Sequence, residues 1–481
     1  MLSRVLSLLS ASLALVACGG GGTGTGSGNP GPITDCSVTA QKQFVLASAR
    51  EWYLFPELLP PTVDIASFAT ATDLLNSLTA TARSQSRDRF FSGITSISAE
   101  QAVLSGGESA GIGLSLLTLA NPSRVVISQV FESSAAADAG LARGDVLLAI
   151  GTSLATLEPI DVILARPNGL NDAIGPATVG LVRALRWRNL AGVVTEREVT
   201  KRVFSLNAVP ASGVRLIARG GGLPPVGHLT LRSFISPAES ALRTAFDTFR
   251  TQGVRDVIID LRYNGGGLVS SAELLLNLLG GTRTNEISYQ TRLNANKSAN
   301  QETIRFQQQP QTIASLRVAF ITTDLSASAS ELVINSMVPY VSMVSNFQVA
   351  VIGARSFGKP VGQFAFDIAS CDFRMRLVTF KTVNKNGNGD YYTGLPDAGF
   401  LGAGGAACAA PDDFSRLPGD SSEAMTAEAL FWINNNRCSG ASIADAGAGS
   451  SAKASADLAA KQAAEAPSPV SALQYYLPGT Y

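Results

Sequence analysis

VIIDLRYNGGG, Val257–Gly267, and VAFITTDLSASASELVINSM, Val318–Met337, decide the fold. Each opens with an apolar, β-branched run that reads as a buried strand. Each then passes through small or turn-forming residues into a helical pattern. In an α/β sheet, chemistry gathers at the carboxyl ends of strands. The glycines after Asn264 let backbone N–H groups come close to a reacting atom. The serines after Leu325 put a hydroxyl at the start of a helix. Further on, GARSFGKPVGQ, Gly353–Gln363, sets Lys359 and Gln363 just past another apolar strand, 347–352. A serine, a lysine and a glycine turn are the parts of a Ser–Lys hydrolase.

DLRYNGGG, SASASE and FGKPVGQ together resemble the C-terminal processing (tail-specific) peptidases, the S41 serine peptidases. The resemblance runs from about Ser37 to Cys438 and is strongest after Val226. It implies an α/β fold: a crotonase-like protease core with an inserted or preceding PDZ domain and a small N-terminal helical region. It implies Ser328 as nucleophile, Lys359 as general base and Gln363 as the residue orienting that lysine. It implies an oxyanion hole from Gly266 and Ala329, although the residues alone do not separate Gly265, Gly266 and Gly267. Ser328 and Lys359 stand 31 positions apart, a wider gap than the family usually has, and VPYVSMVSNFQ holds the extra residues. Asp260, Arg262, Asn264 and Glu331 read as scaffold. Glu331 lies three residues past Ser328, where it caps the helix.

A serine hydroxyl needs a base to take its proton. His228 is the chain's single histidine and sits in a strand pattern, so it reads as a core or surface residue and not as the base. Lysine is the other available base. Burial among Phe357, Phe364 and neighbouring strands lowers its pKa until the neutral amine can accept the proton.

The 481 residues are 46% hydrophobic and only 15% charged, with a formal net charge of zero. A nucleic-acid surface is therefore not expected. The N-terminus has a positive Arg4 and the apolar run VLSLLSASLALVA, too short to span a bilayer. LVAC, Leu15–Cys18, resembles a bacterial lipobox, with cleavage before Cys18 and acylation there. That places the protein in the cell envelope, anchored to the lipid bilayer. By that resemblance, Gly19 after the cysteine implies outer-membrane sorting if the cell is Gram-negative. Four cysteines remain, and an even number in an exported protein suggests disulfides. Of the three pairings, Cys371 with Cys408 and Cys36 with Cys438 is the favoured one, because an antiparallel excursion would join the first pair.

The organisation reads as a signal peptide (1–18), a Gly/Thr/Ser-rich tether (19–35), an N-terminal helical region (36–100), a PDZ domain (101–200), the peptidase domain (201–440) and an Ala/Ser/Gly-rich tail (441–481) with a short apolar end. DRFFSGI, Asp88–Ile94, resembles the segment that closes the helical region. GIGLSLL resembles a carboxylate-binding loop, with Gly111, Ile112, Gly113 and Leu114 receiving a peptide C-terminus that adds a strand to the sheet edge. KNGNGD, Lys385–Asp390, lacks the EF-hand pattern, and no metal or cofactor is expected. The leading reading is a serine endopeptidase that cuts unstructured C-terminal tails of exported proteins, assisted by the PDZ domain. The alternative is a catalytically silent, PDZ-based binding or scaffold lipoprotein. The oligomeric state is not legible.

Overall fold

The computed structural model describes residues 35–120, 123–342 and 345–443. Cys18, the tether and the tail beyond Ile443 lie outside the described residues.

The central layer is a six-stranded sheet. Its strands stand in the order Val214–Ile217, Val226–Thr230, Asp256–Asp260, Arg317–Thr322, Gln348–Gly353 and Ala406–Ala409, which is also their order along the chain. The first pairs antiparallel and the other contacts are parallel. The parallel strands are mostly apolar because both faces are covered. Leu229, Val257, Ile259, Val318, Phe320, Val349 and Val351 meet the helices Ala238–Thr251, Val269–Leu279 and Ala329–Met337. The alternate residues, Ile258, Ala319, Ile321, Ala350 and Ile352, meet Met425, Ala429, Trp432 and Ile433 of the helix Ala424–Asn435.

A second, antiparallel sheet of five strands is built on Phe373–Val383. Gly93–Ser96, Val361–Ile368 and Ile287–Leu293 all pair with this long strand, and Thr303–Arg305 completes a hairpin with the last. The N-terminal helices Val38–Trp52 and Ala71–Leu78 lie on this sheet. Val45, Tyr53, Leu74, Leu75 and Leu78 share a core with Val361, Met375, Leu377 and Val378.

Between these N-terminal elements and the central sheet comes the PDZ-like domain. It has a six-stranded sheet around Leu116, Val125, Ile127, Leu147, Ile150, Leu185 and Trp187. A two-stranded ribbon joins it to the body, with Glu108–Gly111 antiparallel to Arg202–Ser205.

Two expectations are corrected. The core is not crotonase-like. Among the described residues no strand–strand–helix unit repeats and no barrel closes. Instead the parallel strands form one open sheet, and the long antiparallel hairpins are gathered in a separate sheet. The disulfides are Cys36–Cys371 and Cys408–Cys438. Cys371 lies in the turn between Val361–Ile368 and Phe373–Val383, where the start of the first helix packs and Phe44 meets Phe373 edge-on. Cys408 belongs to the other sheet, beside the end of the helix Ala424–Asn435.

Cys36–Cys371 closes a separation of 335 residues and Cys408–Cys438 one of 30. Replacing both members of the longer pair with serine is expected to lower stability by about 3–5 kcal/mol, and more than the same change in the shorter pair. Denaturant unfolding of the two double variants measures both losses.

Candidate active site

Ser328 stands immediately before the helix Ala329–Met337, with φ 57° and ψ −112°. This is a strained conformation for a residue with a side chain, and three sets of contacts hold it. Ser326 Oγ donates to the Leu261 carbonyl at 2.7 Å, Ala327 N–H to Asn264 O at 3.0 Å, and Ser330 Oγ to Asn264 O at 2.9 Å. Asn264 in turn anchors its own loop through Nδ2 to Leu231 O, 2.8 Å. The serine box and the glycine turn are thus stitched together residue by residue. Gly266, at φ 112°, lies so close that an added Cβ would sit 2.9 Å from Ser328 Cβ and 3.1 Å from the Ala329 nitrogen. Only glycine leaves this space open.

Glu331 connects the serine to the lysine. Its carboxylate is fully buried and accepts four hydrogen bonds: Ser328 N–H at 2.9 Å, Ser356 Oγ at 2.5 Å, Gly358 N–H at 2.6 Å and Lys359 N–H at 2.7 Å. Burial pushes this carboxyl up, against the four donors that hold it down. Lys359 follows at the start of the strand Val361–Ile368. Its side chain is 3% exposed, and its Nζ lies 4.6 Å from the centre of the Phe91 ring. Burial drives the amine well below the usual lysine range, while Asp88 and Glu331 pull it back up. Ser328 and Lys359 line one small cavity of about 20 Å³, with Ala329, Leu332, Val269, Val361, Gly362 and Phe380.

Gln363 is buried as well, and its Nε2 donates to the Phe91 carbonyl. The Gly266 N–H donates to Asn264 Oδ1 at 2.9 Å, so it serves the turn in this conformation. The Ala329 N–H opens the helix and has no intrahelical acceptor. His228 is buried with Val226 and Thr230 in its strand, and its Nε2 is 3.8 Å from Asp260 Oδ2. That is the side of the sheet covered by Ala424–Asn435, away from Ser328. Against the effect of burial, Arg262 and His228 hold the Asp260 carboxyl down at about 2. Among the described residues, one cluster has metal-ligand chemistry, Cys408, Glu428 and Cys438, and its two sulfurs are spent in a disulfide.

Two contributions were not legible in the sequence. Tyr263, at φ 63° just before the glycine turn, sends its hydroxyl to Asp412, and Arg143 of the PDZ-like domain donates to Tyr263 Oη at 2.9 Å and pairs with Asp412 at 2.5 Å. The segment around Asp88 forms a wall of the lysine's surroundings. Within the PDZ-like domain, Gly113 packs so tightly on Ser134 that its carbonyl accepts from Ser134 Oγ at 3.1 Å. The Ile112 carbonyl accepts from Ala136 N–H, and Leu114 opens an edge strand of the sheet.

Residues 225–395 match peptidase family S41, and residues 40–93 match the peptidase S41 N-terminal domain. The chain thus carries a peptidase family S41 match over residues 225–395, the segment that holds Ser328 and Lys359. It is 29% identical over 139 residues to a probable CtpA-like serine protease of Staphylococcus epidermidis, a match covering 29% of this chain and 26% of that protein. It is 28% identical over 166 residues to the chloroplastic carboxyl-terminal-processing peptidase 2 of Arabidopsis thaliana, covering 34% and 30%. The matched stretch thus spans under a third of these curated relatives. A crystal structure of a putative S41 protease from Bacteroides fragilis aligns with a TM-score of 0.61 at 23% identity, over 82% of this chain and 97% of that one. That likeness gives the fold: the S41 architecture with its PDZ-like domain, in place of the crotonase-like core expected from the sequence.

Glu331→Ala would leave three N–H groups and a hydroxyl without their acceptor in a closed site. The expected loss is about 3 kcal/mol or more in chemical unfolding, whereas Ser356→Ala is expected to cost about 1 kcal/mol.

Proposed function

We propose that the protein is a serine endopeptidase of the tail-specific kind, working through Ser328 and Lys359. One observation carries this reading: a lysine amine driven toward neutrality by burial shares a cavity with a serine hydroxyl at the mouth of a glycine turn. Lys359 Nζ takes the Ser328 proton as Oγ attacks the scissile carbonyl carbon. The resulting oxyanion receives the Ala329 N–H, and Gly266 leaves it room beside that donor. The Gly266 N–H can join as second donor when Asn264 releases it. Collapse of the intermediate expels the amine, which takes the proton from the lysine. Water then repeats the sequence and frees the acid. Gln363 fixes the lysine's strand through Phe91.

The substrate in this reading is an unstructured polypeptide C-terminus. Its carboxylate is received by the N–H groups of Ile112, Gly113 and Leu114, and its backbone extends the edge strand Leu114–Ala120. Arg143 links that domain to Tyr263 and so to the glycine turn. With Ser328 at 7% exposure and Lys359 at 3%, the site must open for a chain to enter. The lipobox reading of Cys18 supports a lipid-anchored position in the envelope, outer-membrane by the residue that follows it. Among the described residues no helix is long and apolar enough to cross a membrane.

Turnover of a tail peptide tests the reading. Ser328→Ala and Lys359→Ala are each expected to lower kcat at least about a thousandfold, and equal cleavage by all three proteins would refute it. Wild-type activity is expected to rise with pH through the depressed lysine pKa and to be at its plateau by the pH where an ordinary lysine is still charged. The cavity has room for a methyl-sized group, so peptides with alanine before the cleaved bond are expected to be cut about tenfold or more faster than those with phenylalanine.

A further inference from the structure

The lysine at the centre of the proposed chemistry is walled by a turn from the far end of the chain. Asp88 is wholly buried, and its carboxylate winds this turn. Oδ1 accepts the N–H groups of Phe91 at 2.8 Å and Ser92 at 3.0 Å; Oδ2 accepts Ser92 Oγ at 2.7 Å and Tyr53 Oη at 2.9 Å. The turn so formed makes four attachments to the lysine's strand and its neighbour. The Phe91 ring lies 4.6 Å from Lys359 Nζ. The Phe91 carbonyl takes the Gln363 amide. Arg89 donates to the carbonyls of Phe357, at 3.0 Å, and Gly358, at 2.5 Å, the two residues before Lys359, and its guanidinium stacks 4.2 Å from the Phe357 ring. Ser92 Oγ accepts the Val378 N–H at 3.0 Å on the adjoining strand.

We propose that the Asp88–Ser92 turn is a working wall of the lysine's site, with Asp88 and Arg89 acting on Lys359 as positioning residues of opposite charge. The chemistry asks two things of this amine. It must be neutral at rest, yet it must bear the positive charge that develops when it takes the serine proton. A buried ammonium with no counter-charge is costly. Asp88 supplies a fixed negative charge, held rigid by four donors and barred from solvent. Arg89 opposes it, so the ammonium is supported without becoming the resting form. The other charged groups facing Lys359 are Glu331 from the serine helix, which favours the ammonium, and Arg376 from the strand Phe373–Val383, which disfavours it. Tyr53 and Tyr392 face Asp88 as neutral phenols, both pushed up chiefly by burial. Glu331 already serves as scaffold between the two catalytic elements, and Arg376 pairs with Glu100. Asp88 and Arg89 are therefore the pair whose charge can be altered with least disturbance to the serine.

The effect on rate rests on the peptidase reading; the effect on lysine titration does not. The experiment measures both in the full chain. The first arm is the pH profile of kcat/KM for Ser328-dependent cleavage in wild type, Asp88→Asn and Arg89→Gln. The second is a 13C NMR titration of the lysine Cε signals, with Lys359 assigned through Lys359→Met. Asp88→Asn is expected to move the acid limb and the Lys359 titration down by roughly one pH unit. It is also expected to lower plateau kcat on the order of tenfold, with KM little changed. Arg89→Gln is expected to move both midpoints up. A folded Asp88→Asn protein with an unmoved titration overturns the proposal. If that variant does not fold, an unmoved or lowered midpoint in Arg89→Gln overturns it instead. Should the wild type show no Ser328-dependent cleavage, the peptidase reading falls, and the NMR midpoints still decide whether the turn sets the lysine's charge.

Discussion

One buried carboxylate holds the two halves of the site together. Glu331 stands a single helical turn past Ser328 and takes the serine's own N–H. With its remaining capacity it takes the backbone of Gly358 and Lys359 and the hydroxyl of Ser356. Without it, the serine box and the lysine strand would rest on the backbone bond from Phe357 N–H to Ser326 O, 2.9 Å, and on apolar packing, which sets distance loosely. Hydrogen bonds to a desolvated charge are short and directional. They therefore fix the register between a helix start and a strand start that are far apart along the chain. The burial that pushes the Glu331 carboxyl up is the same burial that drives the Lys359 amine toward neutrality, so a single dry environment carries both effects.

The segments that specify this arrangement were legible because each is local. An apolar run ending in DLRYNGGG, and another ending in SASASE, announce a strand that breaks at a turn and a helix that starts on a hydroxyl. The gap of 31 positions between Ser328 and Lys359 did not prevent the two from lining one cavity, because the extra length falls before the strand Gln348–Gly353. What stayed hidden is tertiary. The disulfide partners depend on which sheet each cysteine joins, and spacing does not carry that. The arrangement of the core was misread because βα alternation constrains layers more than it constrains how strands are ordered. Asp88 is one acid among many until the Tyr53 hydroxyl and the Ser92 turn close around it. Arg143 looks like a loop residue of the PDZ-like domain until Asp412 and Tyr263 meet it.

Charge in this molecule is concentrated where the layers meet. Arg262 is buried between Asp260, Glu423 and Asp412, and Arg143 reaches the same Asp412 from the PDZ-like domain. Asp412 is thus shared by an arginine of the glycine turn's strand end and an arginine of the PDZ-like domain. Displacing Arg143 would leave a half-buried acid with one partner fewer and would free the Tyr263 hydroxyl from one of its two contacts. Tyr263 carries a left-handed backbone directly before Asn264, so its freedom is the freedom of the loop that faces Ser328. Apolar contact would tolerate a slide at this junction, whereas a desolvated ion pair is either made or broken.

The ribbon formed by Glu108–Gly111 and Arg202–Ser205 has a mechanical meaning. The PDZ-like domain leaves the body and returns to it through two strands zipped side by side, so it hangs on a strap with a flat face instead of on a single cord. Such a strap bends across its face and resists shear along its length. Any swing of the domain on this strap would therefore follow a narrow arc, like a door on its leaf, and would bring the same edge back to the same jamb.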